Sequence, residues 1–158
     1  MDPFSTLLER LDQKYLAASL DLRETNPLVL AYVGDTVYHL YIRTMLCFES
    51  CGKTVNRLHR ESVSHAKASA QARIAREIAE MLSDEERDIL RRGRNAKSGT
   101  IPKNARIADY KLATGFEALI GYLYLLRKMD RMTQILDRAA EIIRGENKEE
   151  KEPDEQGT

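Results

Sequence analysis

Two long apolar runs, each interrupted near its middle by one acid, limit what this chain can fold into more than any other feature. The first, NPLVLAYVGDTVYHLYIR, extends from Asn26 to Arg43 with Asp35 as its only carboxylate. The second, DYKLATGFEALIGYLYLL, extends from Asp109 to Leu126 with Glu117 in its apolar centre. Nothing in the chain alternates apolar and polar residues with period two over a useful length. No sheet is therefore expected, and both runs read as core helices of an all-α fold. A carboxylate buried there without a partner costs several kcal/mol as a rough figure, and is normally protonated, ion-paired or bound to a metal. The nearest cations, Arg43 and Lys111, lie near the helix ends. Two such acids on separate core helices point to one shared site for a hard cation.

The surrounding pattern predicts a single helical domain over residues 1–145 and an acidic, disordered tail over 146–158. An amphipathic segment carrying Phe4, Leu7, Leu8, Leu11 and Tyr15 comes first. Asn26 and Pro27 then supply a cap and first-turn proline for a helix reaching about Phe48. A short helix is expected over about Thr54 to Val63, and Ser64 is positioned to cap another through Leu82. Ser83 and Glu86 have capping-box spacing for a helix ending near Gly93. The second apolar helix is expected over roughly Ala108 to Lys128, and Asp130 caps a last one through Arg144. No apolar stretch reaches membrane-spanning length without a charge, and the N-terminus lacks a signal-peptide pattern, so a cytoplasmic location without membrane contact is expected.

Net charge is zero, with 25 basic and 25 acidic residues, but the balance is uneven. Residues 146–158 hold six acids and two lysines, which leaves about +4 on the rest of the chain. RRGRNAKSGTIPKNAR, from Arg91 to Arg106, has six cations and no acid. With Gly93, Gly99 and Pro102 it reads as a loop. Its ordinary explanation is a solvated connection. Combined with the acid pair it reads better as a contact for nucleic acid, with Asn95 and Asn104 able to donate to sugars or phosphates. Tyr110 is the only aromatic residue nearby, so duplex recognition through phosphates and 2′-hydroxyls fits better than base stacking. Cys47 and Cys51 have no zinc-finger spacing and read as inert. Cys51-Gly52-Lys53-Thr54 resembles the end of a phosphate-binding loop but lacks its first glycine and preceding strand.

Each acid taken singly has a bland alternative. Asp35 can pair with His39 one turn on, and Glu117 can be a structural acid reaching a basic residue. Taken together they favour a site, because packed helices cross at about 8–10 Å and acids at the crossing reach one ion. Magnesium accepts one or two carboxylates and keeps several waters. Such an ion activates water and stabilises a phosphate under attack, so phosphoester hydrolysis is the chemistry on offer.

At this point several motifs resemble one family. Val33-Gly34-Asp35-Thr36-Val37 is similar to the signature helix of ribonuclease III catalytic domains, and Gly115-Phe116-Glu117-Ala118-Leu119-Ile120 to their second acidic helix. LAYVGDTVY, RRGRNAK, PKN and ATGFEALIGYLYL, in this order between residues 26 and 128, resemble Mini-ribonuclease III, the bacterial form without a double-stranded-RNA-binding domain. Ribonuclease III proper has two further acids, at the positions of Ala31 and Thr114 here; Mini-ribonuclease III also lacks them.

The resemblance implies a ribonuclease III endonuclease-domain-like helical bundle that forms a homodimer, with two sites lining one duplex-binding valley. It implies a magnesium-dependent endoribonuclease that cleaves structured double-stranded RNA and matures the large-subunit (23S) ribosomal RNA precursor, with possible assistance from a ribosomal protein. Asp35 and Glu117 would be the catalytic metal ligands. Arg91, Arg92, Arg94, Asn95, Lys97, Lys103 and Asn104 would contact RNA, since the catalytic domain itself must supply the affinity. Dimerisation also agrees with a first apolar helix that a small domain cannot cover on every face. Two alternatives remain: a non-catalytic RNA-binding or ribosome-assembly module on the same fold, and an all-helical protein-interaction module. Retention of both acids argues against the first, and the acid-free basic segment against the second.

Overall fold

The computed structural model describes residues 3–15, 21–49, 51–104 and 106–149, and among these it contains no strand. Among the described residues seven helices follow one another: α1 (Pro3–Tyr15), α2 (Pro27–Glu49), α3 (Val55–Ala66), α4 (Ala68–Glu77), α5 (Asp84–Asn95), α6 (Ile107–Leu125) and α7 (Met129–Glu149). A single 3₁₀ turn, Ala79–Met81, lies between α4 and α5. No helix among the described residues is long and apolar enough to cross a membrane.

Helix α6 is the hub, packed by α2, α4 and α5. From Ala113 to Leu123 every residue is buried except Glu117. A helix enclosed on all sides must be apolar all round, which is why this run lacks an amphipathic stripe. Phe116 is fully buried and meets Tyr38 of α2 edge-on, with ring centroids 5.3 Å apart. Such a contact adds about 0.5–1.5 kcal/mol beyond the burial itself. Helix α7 covers one side with a single apolar face, Met132, Ile135, Leu136, Ala139, Ile142 and Ile143.

Glycines set the central crossing. A Cβ built on Gly34 would fall 1.7 Å from the carbonyl oxygen of Glu117, and one on Gly121 would fall 1.9 Å from that of Leu30. The backbones of α2 and α6 thus touch at two points, closer than side chains ordinarily allow. Helix α5 approaches α6 in the same way: a Cβ on Gly115 would lie 2.5 Å from the Leu90 carbonyl oxygen, and one on Gly93 would lie 2.8 Å from Ala118 Cβ.

Local signals fix several boundaries as the sequence indicates. Asn26 Oδ1 accepts from the Leu28 amide at 2.9 Å. The Ser83 hydroxyl accepts from the Glu86 amide at 3.2 Å, while Glu86 accepts from the Ser83 amide at 2.9 Å, completing the capping box. Glu86 also receives two 2.8 Å hydrogen bonds from Arg131, which tie α5 to α7.

Four expectations change. The break after α3 falls at Lys67, so Ser64 lies inside α3 and caps nothing, and the helix that follows ends at Glu77, short of Leu82. Helix α5 passes through Gly93 and ends at Asn95, so Arg91, Arg92, Arg94 and Asn95 are helical and the loop starts at Ala96. Helix α6 stops at Leu125, where Arg127 takes a left-handed conformation with φ 58°. Helix α7 begins before Asp130 and continues to Glu149, into the stretch expected as a tail; residues 150–158 lie outside the described ones.

Candidate active site

The contact of Gly34 with the Glu117 backbone brings the next residue of α2, Asp35, beside Glu117 on α6. The two carboxyl groups are close enough to interact directly. Burial pushes the Glu117 carboxyl up to about 8, the Asp35 charge pushes the same way, and a hydrogen bond from the Gln71 amide opposes both. An unshifted Glu117 would place two negative charges together in a poorly hydrated crossing. A proton or a cation relieves that repulsion.

The acids differ in one respect from the expectation that both are buried. Asp35 keeps about half of its side chain exposed, at 49%, whereas Glu117 sits deeper. Asp35 also has a neighbour on its own helix: His39 Nδ1 lies 3.1 Å from Asp35 Oδ1 and 2.9 Å from the Asp35 carbonyl oxygen. The ordinary pairing of Asp35 with His39 is thus present together with the approach to Glu117. One acid is thus open to solvent and the other recessed.

These residues fit a divalent ion. The pair supplies two oxygen donors whose mutual repulsion a hard cation would offset, and magnesium needs no more than one or two carboxylates if it keeps waters. No group of three or more metal-ligating side chains occurs among the described residues. Ala31 is buried, and the buried Thr114 turns its hydroxyl back to the Tyr110 carbonyl at 3.0 Å. Neither adds a donor to the acid pair.

The basic segment has two parts. Arg91, Arg94 and Asn95 are exposed on the end of α5, and Lys97, Lys103 and Asn104 are exposed on the connection that follows. Gly93 anchors this end of α5 against Thr114, Gly115 and Ala118, the stretch of α6 that contains Glu117. Arg91 pairs with Asp88 at 2.5 Å, and Arg94 Nε donates to Asn95 Oδ1 at 3.3 Å. Arg92 differs from the others. It is half-buried and donates to the backbone carbonyls of Arg23 and Thr25, holding the turn that leads into α2. That structural duty leaves its guanidinium less available to any ligand than the exposed side chains around it. A cleft of about 350 Å³ beside the α2 N-terminus is lined by Asn26, Arg91, Asn95 and Lys97 among others. Cys47 and Cys51 are both exposed, and neither lines this cleft.

Gln71 on α4 escapes the sequence reading. It occupies the same face as Ile74, Ala75 and Ile78, all buried, so a polar residue in an apolar register was the available signal. Its Nε2 donates to the Ala66 carbonyl at 3.0 Å, and its amide also reaches Glu117. Its Oε1 is buried without a hydrogen-bond donor among the described residues.

Comparison with known proteins identifies the family. Residues 28–128 match the family described as Ribonuclease III domain. The chain is 49% identical over 116 residues to Mini-ribonuclease 3 of Clostridium tetani, covering 73% of this chain and 77% of that one. It is 50% identical over 118 residues to Mini-ribonuclease 3 of a Thermoanaerobacter species, covering 75% of this chain and 82% of the relative. A crystal structure of a Fusobacterium nucleatum protein superposes with a TM-score of 0.70 at 32% identity, covering 81% of this chain and 99% of that one.

Proposed function

The chain belongs to the ribonuclease III domain family and is an endoribonuclease of that type, and from this premise we propose that it cleaves structured double-stranded RNA with magnesium held by Asp35 and Glu117. Maturation of the large-subunit ribosomal RNA precursor is the cellular role we assign to it. The observation that carries the reading is the approach of the two acids at a crossing fixed by Gly34.

When bound, the ion supplies Lewis-acid activation of a water and neutralises charge building on the scissile phosphate. Glu117, the more recessed acid on α6, and Asp35, the more open acid on α2, would together hold the ion, with Asp35 also able to orient a group arriving from solvent. His39, within 3.1 Å of Asp35, restricts the aspartate to one orientation. Arg91, Arg94, Lys97 and Lys103, with Asn95 and Asn104, hold the phosphates and sugars of the duplex on the flank of α6.

A homodimer completes the proposal. Tyr32 and Phe48 on α2 are each 80% exposed, and with Leu40, Tyr41, Met45 and Leu136 they line an apolar groove of about 600 Å³. A patch of this kind on a small domain is more often an interface than a solvated face, and a second copy related by a two-fold axis would cover both grooves at once. Sedimentation at micromolar concentration is expected to give a dimer, and Leu40→Glu with Phe48→Glu a monomer.

The functional test is incubation of a labelled RNA duplex with the protein, with and without magnesium. Cleavage that requires magnesium and disappears in Glu117→Gln is the expected result. Magnesium-independent cleavage, or full activity of that variant, would overturn the site assignment.

A further inference from the structure

We infer that Arg43 is a phosphate-binding residue for the substrate strand, placed toward the end of α2 that lies away from the basic segment. The inference rests on the RNA-cleaving reading above and adds a second anchoring point to it.

One line of residues along α2 stays accessible while the adjoining positions are covered. Leu28, Tyr32, Asp35, His39 and Arg43 follow one another once per turn, and none of them is buried. That spacing puts side chains on one face of a helix. Ala31, Gly34, Tyr38, Ile42 and Leu46, beside this line, are all buried in the bundle. The line begins in the cleft beside the α2 N-terminus, where Leu28 shares the lining with Arg91, Asn95 and Lys97. At about 1.5 Å per residue, Asp35 lies about 10 Å beyond Leu28, and Arg43 about 12 Å beyond Asp35. The open acid of the candidate site thus sits midway between the basic cleft and Arg43.

Most arginines on the neighbouring helices are neutralised locally. Arg57, Arg73 and Arg76 are held by Glu61, Glu77 and Asp109. Arg43 is exposed and has no hydrogen-bond or ion-pair partner among the described residues. The other carboxylate of α2, Glu49, is engaged by Arg144, and Asp137 of α7 accepts from the Tyr41 hydroxyl at 2.7 Å. An unmatched guanidinium offers the planar fork of N–H groups that a phosphate accepts. It does not serve the ion, because a positive charge on the same helix opposes a bound cation. At about 12 Å that opposition is largely screened, the Debye length being about 8 Å in physiological salt. Nor does it belong to the apolar groove, which Tyr32, Thr36, Leu40, Thr44 and Phe48 line without it.

A strand gripped by the basic segment alone is fixed on one side of the acid pair and free to swing on the other. Phosphate contacts set the register of a duplex on a protein, and register decides which linkage meets Asp35 and Glu117. Arg43 supplies the missing contact a few nucleotides along the same strand. The cleaved linkage then lies between two held phosphates, as accurate positioning requires.

The test measures magnesium-free binding of an RNA duplex across a salt series for wild type, Arg43→Gln, Arg43→Lys and Lys97→Gln. Arg43→Gln should bind a few-fold more weakly, with a log–log salt slope reduced by roughly 0.7–0.9, the loss of one phosphate contact. Arg43→Lys should restore the slope. The contact is then located with duplexes that carry one neutral methylphosphonate linkage, moved stepwise along the cleaved strand. At one linkage the substitution should weaken binding by wild type and leave Arg43→Gln unaffected. That linkage should lie across the cleaved bond from the one to which Lys97→Gln is insensitive. An unchanged slope, or equal sensitivity of wild type and Arg43→Gln at every linkage, would overturn the inference, as would two linkages on the same side of the cleaved bond. A retained slope with loss of the dimer in sedimentation, or with a lowered thermal midpoint, would assign Arg43 to an interface or to the fold and reject it too. In all these cases the RNA-cleaving reading stands. A wild type that binds no duplex would reject that reading itself.

Discussion

The α2–α6 crossing and the basic segment from Arg91 to Arg106 are proposed to meet the same RNA, yet they are built on opposite terms. At the crossing, backbone touches backbone through Gly34 and Gly121, the α6 residues from Ala113 to Leu123 are buried except Glu117, and that acid is pushed far from its ordinary protonation. On the basic segment most side chains are exposed, and Lys97 and Lys103 extend from irregular chain. Chemistry at phosphorus needs groups fixed to a fraction of an ångström, and only a packed interior provides that. Attraction to a phosphate backbone works over several ångströms through mobile charges. The contrast implies that the crossing tolerates almost no change and that the basic segment loses function in graded steps.

The largest effect is expected from Glu117→Gln. Cleavage should drop to background in a magnesium-containing duplex assay, because the amide removes a ligand charge while keeping shape. Activity retained within about tenfold would erase the distinction between the two regions, since second-sphere changes alone typically cost that much. Gly34→Ala comes next. The added methyl has to displace the backbone of α6, not a flexible side chain, so a loss of about 3 kcal/mol or more is expected, at the upper end for overpacked cores. Calorimetry should then show a midpoint lowered by roughly 6–12 °C. A midpoint within a degree of wild type would mean that the crossing is looser than it looks.

Replacing Arg94, Lys97 and Lys103 together with alanine should leave the thermal midpoint nearly unchanged. It should flatten the salt dependence of duplex binding by roughly 0.7–0.9 per lost phosphate contact on a log–log plot. Arg92→Ala should behave differently, lowering stability with little change in the slope, because its donors are committed to the Arg23 and Thr25 carbonyls. Identical slopes for wild type and triple variant would reduce the segment to a solvated connection.

A pH dependence of stability without metal is expected as well. The Glu117 carboxyl is raised in the folded state from 4.5 to about 8, so the native protein holds a proton that the unfolded chain releases. The associated cost is absent below about pH 4.5, grows as pH rises, and is complete above about pH 8. Thermal midpoints of metal-free wild type should therefore fall across this window relative to those of Glu117→Gln, and added magnesium should recover the difference. A wild type that gains stability over the variant with rising pH would have the wrong sign.

What was legible in the sequence follows the same division between local and distant causes. Both apolar helices and the acids near their centres were readable from composition, and Asn26 and the Ser83–Glu86 box marked helix starts because capping needs only neighbouring residues. The break at Lys67 was not readable. The carbonyl of His65 beside it is taken by Tyr38 from α2, a partner 27 residues away in sequence. Gly93 looked like a helix terminator, whereas it is a contact surface for Ala118 and Gly115 across the bundle. Arg127 ends α6 in a conformation glycine usually takes, and is held by Asp12 of α1, a partner far off in sequence. For the candidate site, the acids were visible as chemical anomalies, but the half exposure of Asp35 and the burial of Gln71 depend on packing.

The claim that organises all of this is that the acid at the α2 side of the crossing serves the chemistry and not the fold or the grip on RNA. One experiment addresses it directly: Asp35→Asn and wild type, each at saturating RNA duplex with magnesium, with binding and cleavage measured in the same samples. The account predicts wild-type affinity and an intact thermal midpoint in the variant, with cleavage reduced to background. Wild-type cleavage by Asp35→Asn, or loss of folding in place of loss of activity, would contradict it.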